Sequence, residues 1–86
     1  MVLRRHRELY DGEAAIGYEV DIGGTPPGHP SPGRWKVRQD TGGWRVLFRS
    51  LEGAEYVIHV FSPTEEGEQA ARSMGLCLVD IAWGRR

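Results

Sequence analysis

Apolar and polar residues alternate along three consecutive stretches of the chain, and this pattern constrains the fold more than any other feature. The stretches cover residues 16–22, 34–38 and 44–49, with an apolar side chain at every second position. A period of two residues is the signature of a strand with one buried face. A fourth stretch, residues 56–61, is apolar on both sides apart from His59, so we expect a strand that is covered on both faces.

The turns between these segments predict the register of the sheet. A hairpin at residues 40–43 sets Val37 opposite Val46. A three-residue loop that ends at Gly53 then sets Val46 opposite Ile58. Both registers place the same apolar residues on one face of the sheet, namely Trp35, Val37, Trp44, Val46, Phe48, Tyr56, Ile58 and Val60.

A helix is predicted after the fourth strand, because residues 62–65 form a capping box with proline at the first helical position. Gly75 is a natural left-handed stop, so we expect the helix to be short. Residues 76–83 are apolar on both sides apart from Asp80, and they predict a fifth strand that runs parallel to the fourth. This last strand would lie beside the first strand or beside the fourth.

These elements define one small α+β domain that spans residues 1–86. We expect a five-stranded, mainly antiparallel sheet: a meander of four strands, one short helix packed on it, and a fifth strand after the helix. The sheet either stays open or closes partly into a barrel. Residues 23–33, rich in glycine and proline, form a loop between the first two strands. For residues 2–10 we favour a short helix over a hairpin at Asp11-Gly12.

The predicted registers also collect basic residues on the face opposite the tryptophans. Arg38 then lies opposite Arg45, which is unfavourable unless the two like charges are compensated. Neighbouring carboxylates (Glu19, Asp21 and Glu55), a second subunit, or an anionic ligand such as a nucleic acid could each compensate them. The candidate binding residues on this face are Arg34, Lys36, Arg38, Arg45, Arg49, Val57, His59 and Phe61.

The titratable residues form no recognisable catalytic or metal-binding motif. The three histidines lie far apart in the sequence, and their spacings match no metal site. Cys77 is the single cysteine, which excludes an intramolecular disulfide and favours a reducing compartment. We therefore expect no metal, no cofactor, a binding role rather than catalysis, and a cytoplasmic location.

The limited burial within so small a domain predicts self-association. One short helix with a thin apolar stripe cannot cover strands that are apolar on both faces. A second copy of the chain is the simplest source of the missing cover, so we expect a homodimer. The sequence has no apolar run long enough to cross a membrane, and its net charge of −1 does not favour nucleic acid as the partner.

Two peptide stretches, Gly43-Trp-Arg-Val-Leu-Phe-Arg and Tyr56-Val-Ile-His-Val-Phe, carry a family resemblance. With the helix that follows, they make residues 34–71 similar to the strand core of RelE-type toxins. Those proteins cleave RNA or act on the ribosome within toxin–antitoxin pairs. The resemblance implies an RNA-acting domain that uses basic and histidine residues of the sheet. The chain departs from the family pattern after the last strand, where residues 62–67 replace a lysine-rich stretch.

The sequence therefore predicts a small binding domain that recognises a small molecule or a partner protein. An RNA-acting domain with a basic sheet face is the alternative. Ten of the eleven basic residues are arginine, which is typical of a GC-rich genome, and we expect a bacterial protein.

Overall fold

The computed structural model describes residues 6–11 and 14–85, which form one antiparallel sheet and one helix. The strands follow one another in space as they do along the chain, in the order β1-β2-β3-β4-β5. The elements are β1 His6–Asp11, β2 Ala14–Gly24, β3 Gly33–Asp40, β4 Gly43–Ser50, β5 Glu55–Phe61 and α1 Glu65–Ala82. The predicted α+β class and the meander of strands β2 to β5 are confirmed, whereas the partly closed barrel is not formed, because β1 and β5 are opposite edges of an open sheet.

The N-terminal edge of the sheet corrects one prediction. His6–Asp11 is a strand that pairs antiparallel with β2, with His6 opposite Val20, so the helix favoured for residues 2–10 is wrong over 6–10. Residues 2–5 lie outside the described residues. A helix of fewer than about 12 residues is marginal without tertiary support, whereas β2 offers this segment a long edge of 11 residues to pair with.

The helix begins two residues after the predicted first helical position. Thr64, rather than Ser62, is the N-cap, and its hydroxyl accepts a hydrogen bond of 3.1 Å from the backbone N–H of Gly67. Glu65, Glu66 and Glu68 lie in the first turn, where the positive end of the helix dipole favours them.

The helix also runs past Gly75, so the predicted fifth strand over residues 76–83 is wrong. The buried helical residues are spaced four apart and form one continuous stripe: Gly67, Ala71, Gly75 and Val79. A Cβ at Gly75 would lie 2.0 Å from Cδ1 of Ile22, so this glycine serves close packing of the helix on β2 rather than a left-handed stop. The left-handed residue that follows the helix is Gly84, with φ of 71°.

The helix packs on the apolar face of the sheet, where the core lies. The core residues come from three strands and the helix, and they are Val20, Ile22, Val37, Trp44, Val46 and Ala71. The predicted hairpin is confirmed, with Val37 opposite Val46. Gly53 adopts a left-handed φ of 92° in the loop before β5, where the N–H of Ser50 donates to the carbonyl of Ala54 as a three-residue loop requires.

A β-bulge in β5 changes the register at one point. Leu47 pairs with Val57, but Val46 pairs with His59, so Ile58 is an extra residue and the predicted Val46–Ile58 pair is wrong. The extra residue reverses the alternation that follows it. His59 and Phe61 therefore lie on the helix side of the sheet, and Val60 lies on the opposite face. Within the described part of the chain, no helix has the length and apolar character to span a membrane.

Candidate functional site

The face of the sheet opposite the helix carries a network of ion pairs centred on Glu19. Glu19 is only 4% exposed, although no other element covers this face among the described residues. Its carboxylate contacts Nη2 of Arg38 at 2.7 Å, Nζ of Lys36 at 3.5 Å and Nη2 of Arg49 at 3.4 Å. Burial by itself raises the pKa of Glu19, but the hydrogen bond from Arg38 and the surrounding positive charges hold that pKa below its ordinary value.

Asp21 forms a second centre on the same strand. Arg34 donates to both of its oxygens, from Nε at 2.6 Å and from Nη2 at 3.0 Å, which is the bidentate geometry that favours arginine. Lys36 bridges the two centres, with Nζ 3.4 Å from Asp21. Burial opposes ionisation, yet the hydrogen bond from Arg34 and the charge of Lys36 keep the pKa of Asp21 lowered.

Glu55 closes the network at the start of β5. Arg38 donates to its two oxygens at 3.1 Å and 2.7 Å, and Arg49 donates through Nε at 2.9 Å and also through Nη2. The hydrogen bonds from Arg38 and then Arg49 lower the pKa of Glu55 from 4.5 to about 2. A separate pair, Arg45 with Asp40 at 3.0 Å, lies beside the β3–β4 turn.

We call this surface the charged face; it comprises Glu19, Asp21, Arg34, Lys36, Arg38, Asp40, Arg45, Arg49 and Glu55. Five positive charges meet four carboxylates here, so the described charges nearly cancel. The long side chains also help to enclose Leu47, which is fully buried although it lies on this face, opposite Lys36 and Val57. The charged face is therefore a compact, self-neutralised layer.

The structure brings six of the eight predicted site residues together and separates two. Arg34, Lys36, Arg38, Arg45, Arg49 and Val57 share the charged face. His59 and Phe61 do not, because the bulge turns them to the helix side, where their rings lie 4.5 Å apart. The prediction that all eight share one face is wrong for these two residues.

A second feature, which we call the cleft, opens on the helix side of the sheet. Its volume is about 580 Å³, which is within the usual range for small-molecule sites. It lies between the C-terminal half of α1 and the adjoining parts of β3, β4 and β5. The larger apolar residues that line it are Trp35, Phe48, Leu51, Tyr56, Ile58, Leu78 and Ile81.

The aromatic pair Trp35 and Phe48 comes from neighbouring strands, in register across the β3–β4 ladder. Their ring centroids are 4.6 Å apart and the rings are tilted by 59°. Nε1 of Trp35 is buried and has no hydrogen-bond partner among the described residues. The cleft wall thus presents a large aromatic surface, whereas the N–H of Trp35 itself has almost no accessible surface.

The glycine- and proline-rich loop between β2 and β3 forms one rim of the cleft. It connects consecutive strands as predicted, and Thr25, His29, Ser31 and Pro32 line the opening. Two hydrogen bonds join the ends of the loop, because Thr25 receives at its hydroxyl from the N–H of Gly33 (3.2 Å) and donates its own N–H to the Gly33 carbonyl (3.1 Å). The ends of the loop are therefore held together at the rim of the cleft.

Sequence reasoning missed the cleft because it placed residues 76–83 in a strand. The helical stripe with a spacing of four residues, from Gly67 to Val79, was the signal that could have extended the helix and placed Leu78 and Ile81 beside the sheet. Among the described residues, no group of three or more histidine, cysteine, aspartate or glutamate side chains is placed to hold a metal ion.

Comparison of the chain with protein-family models, curated proteins and solved structures found no match. The resemblance to RelE-type toxins gains no support from these comparisons.

Proposed function

We propose that this protein is a non-catalytic binding domain that holds a small, largely apolar molecule in the cleft. The observation that carries the proposal is the size and lining of the cleft: about 580 Å³, with an aromatic pair on one wall and aliphatic side chains of α1 on the other. Apolar sites of this size with a few polar groups at the rim are typical of small-molecule pockets.

The residues that line the cleft indicate which class of ligand it would bind. Its polar members are hydroxyl groups, His29 and Glu52, and it contains neither lysine nor arginine. An anionic ligand would find no compensating charge there, so we propose a neutral ligand with a planar or aliphatic body.

The charged face supports a ligand less well than the cleft does. Each of its five basic side chains already contacts a carboxylate. An anion would have to replace those contacts and leave buried carboxylates such as Glu19 without their partners. Because its basic side chains are already paired, the charged face also gives little support to the alternative of an RNA-acting domain. That alternative predicts salt-dependent RNA binding that is lost in the double variant Arg45→Ala, Arg49→Ala.

We include self-association and a cytoplasmic location in the proposal. Several apolar side chains remain exposed at one edge of the sheet and support a further contact: Tyr56, Val57, Ile58 and Val60. The single cysteine, Cys77, excludes an intramolecular disulfide, which suits a reducing compartment.

Binding of the neutral aromatic probe N-phenyl-1-naphthylamine, followed by its fluorescence, tests the proposed cleft. Ile58→Ser removes apolar surface from the cleft wall, and we expect the probe to bind about tenfold more weakly. Val57→Ser is the matched control, because Val57 is the preceding residue, is similarly exposed (53% against 45%) and lies on the other face.

Equal weakening in the two variants would contradict the cleft as the binding site, and so would an absence of probe binding to the unmodified protein. Far-ultraviolet circular dichroism of each variant verifies that the sheet is intact.

A further inference from the structure

We infer that two copies of this chain pair antiparallel along their β5 strands, so that their two clefts join into one shared groove. The role of the groove as a binding site rests on the proposed function. The pairing of the two copies rests on the exposed edge strand β5.

β5 is an edge strand, and one side of its backbone is unpaired within the described chain. Its side chains are exposed on both faces of the sheet: Tyr56 is 57% exposed on the helix side, and Val57 is 53% exposed on the charged face. Unpaired N–H and C=O groups in a row favour another strand as the occupant, since only a strand satisfies them in series.

The other edge of the sheet differs in charge. The sequence of β1, HRELYD, contains three charged residues at neutral pH if His6 is left out, whereas EYVIHVF of β5 contains one. That one charge, on Glu55, is already paired with Arg38 and Arg49. Two β5 strands can therefore approach each other without like-charge repulsion.

β5 also lacks the residues that usually protect an edge. It contains no lysine and no proline, the two residue types that most often block pairing at exposed strands. The bulge at Ile58 increases the local twist but leaves residues on both sides of it in strand conformation. A second copy presents the same neutral, apolar edge, and a two-fold axis makes such an edge complementary to itself.

The geometry of this pairing determines what happens to the clefts. In an antiparallel pair of identical edge strands the two-fold axis is perpendicular to the sheet, so both helices lie on the same side. Tyr56 and Ile58, which line the cleft from β5, then adjoin the same residues of the second copy. The site of each protomer is thus completed at its open side by the other protomer.

The test combines sedimentation velocity with binding of N-phenyl-1-naphthylamine. The double variant Val57→Lys, Val60→Lys adds positive charge to the edge on the charged face, and it leaves the cleft wall of the same protomer unchanged. Ser73→Lys adds a charge at an exposed helical position and serves as the control.

We expect a dimer at low micromolar concentration for the unmodified protein and for Ser73→Lys, and a monomer for the double variant. The double variant should also bind the probe about tenfold more weakly, because half of the groove is missing. Circular dichroism shows whether the double variant is folded. If the double variant is unfolded, the single variant Val60→Lys, which adds only one charge, replaces it.

The other outcomes overturn separate parts of the inference. An unmodified protein that is monomeric yet binds the probe overturns the dimer and leaves the proposed function standing. A double variant that stays dimeric overturns the assignment to β5, and a monomeric variant with unchanged probe affinity overturns the shared groove. A dimer that binds no probe retains the β5 pairing but contradicts the proposed function.

Discussion

The two faces of this sheet bury their residues by different means. On the helix side, Val37 and Val46 are fully buried by a layer of packed side chains from α1. On the charged face, Leu47 is equally buried between Lys36 and Val57 of the neighbouring strands, and the basic side chains of this face are held by ion pairs. A single helix can therefore stabilise an open sheet of this size when the side chains of the other face help to bury one another.

Removing the buried leucine of the charged face should have the largest effect. We expect Leu47→Ala to lower the free energy of unfolding by about 3 kcal/mol, within the range for buried leucines, because the surrounding charged side chains cannot fill an apolar cavity. Urea denaturation measures the change, and Val57→Ala on the same face, which is exposed, should change stability by less than about 1 kcal/mol. A similar small loss for Leu47→Ala would mean that the charged layer does not seal this position.

Neutralising the central carboxylate should have the next largest effect. Glu19→Gln leaves Lys36, Arg38 and Arg49 with less compensation, and we expect a loss of about 2 kcal/mol, less than for a fully enclosed ion pair because the three cations are partly exposed. Glu52→Gln is the control, since Glu52 is exposed in the β4–β5 loop. Equal urea midpoints for the two variants would contradict a structural role of the network.

Lowering the pH should weaken the ion pairs of the charged face and leave the packing on the helix side unchanged. For Glu55, whose side chain is partly exposed, we expect the free energy of unfolding to fall by about 1 kcal/mol. The pKa of Glu55 is about 2 in the folded protein against 4.5 ordinarily, and the pKa values of Glu19 and Asp21 are lowered too. The folded chain therefore binds fewer protons than the unfolded chain in this range, so stability is fully present above pH 4.5 and falls as the pH approaches 2.

Urea midpoints measured between neutral and acidic pH check this expectation. Glu55→Gln should show a shallower decline than the unmodified protein. A decline of the same steepness in both would show that other groups cause the acid sensitivity.

The central part of the fold could be predicted because its signals are local and agree with one another. The alternation of Trp35 and Val37 with basic residues, together with the two-residue turn before β4, defined the register that the structure has. That register left three ways to compensate the arginines, namely carboxylates, a second subunit or an anionic ligand, and the structure shows ion pairs with Glu19, Asp21 and Glu55.

The predictions were wrong at residues that are compatible with two different structures. Gly75 suits a left-handed helix end, but here its lack of a side chain lets the helix approach Ile22. The bulge at Ile58 leaves no mark in a strand that is apolar at nearly every position, because either alternation fits the sequence. The cleft depends both on the helix continuing past Gly75 and on the bulge at Ile58. The register of β4 alone therefore could not predict it.

The hydrogen bond from Nε1 of Trp83 to the carbonyl of Gly24, at 2.8 Å, bears on the ligand binding that we propose for the cleft. It joins the residue that follows α1 to the last residue of β2, and each is next to a residue that lines the cleft, namely Ala82 and Thr25. A preorganised receptor of this kind loses little conformational freedom on complex formation. We therefore expect the proposed ligand to enter the cleft without a closing motion of the loop.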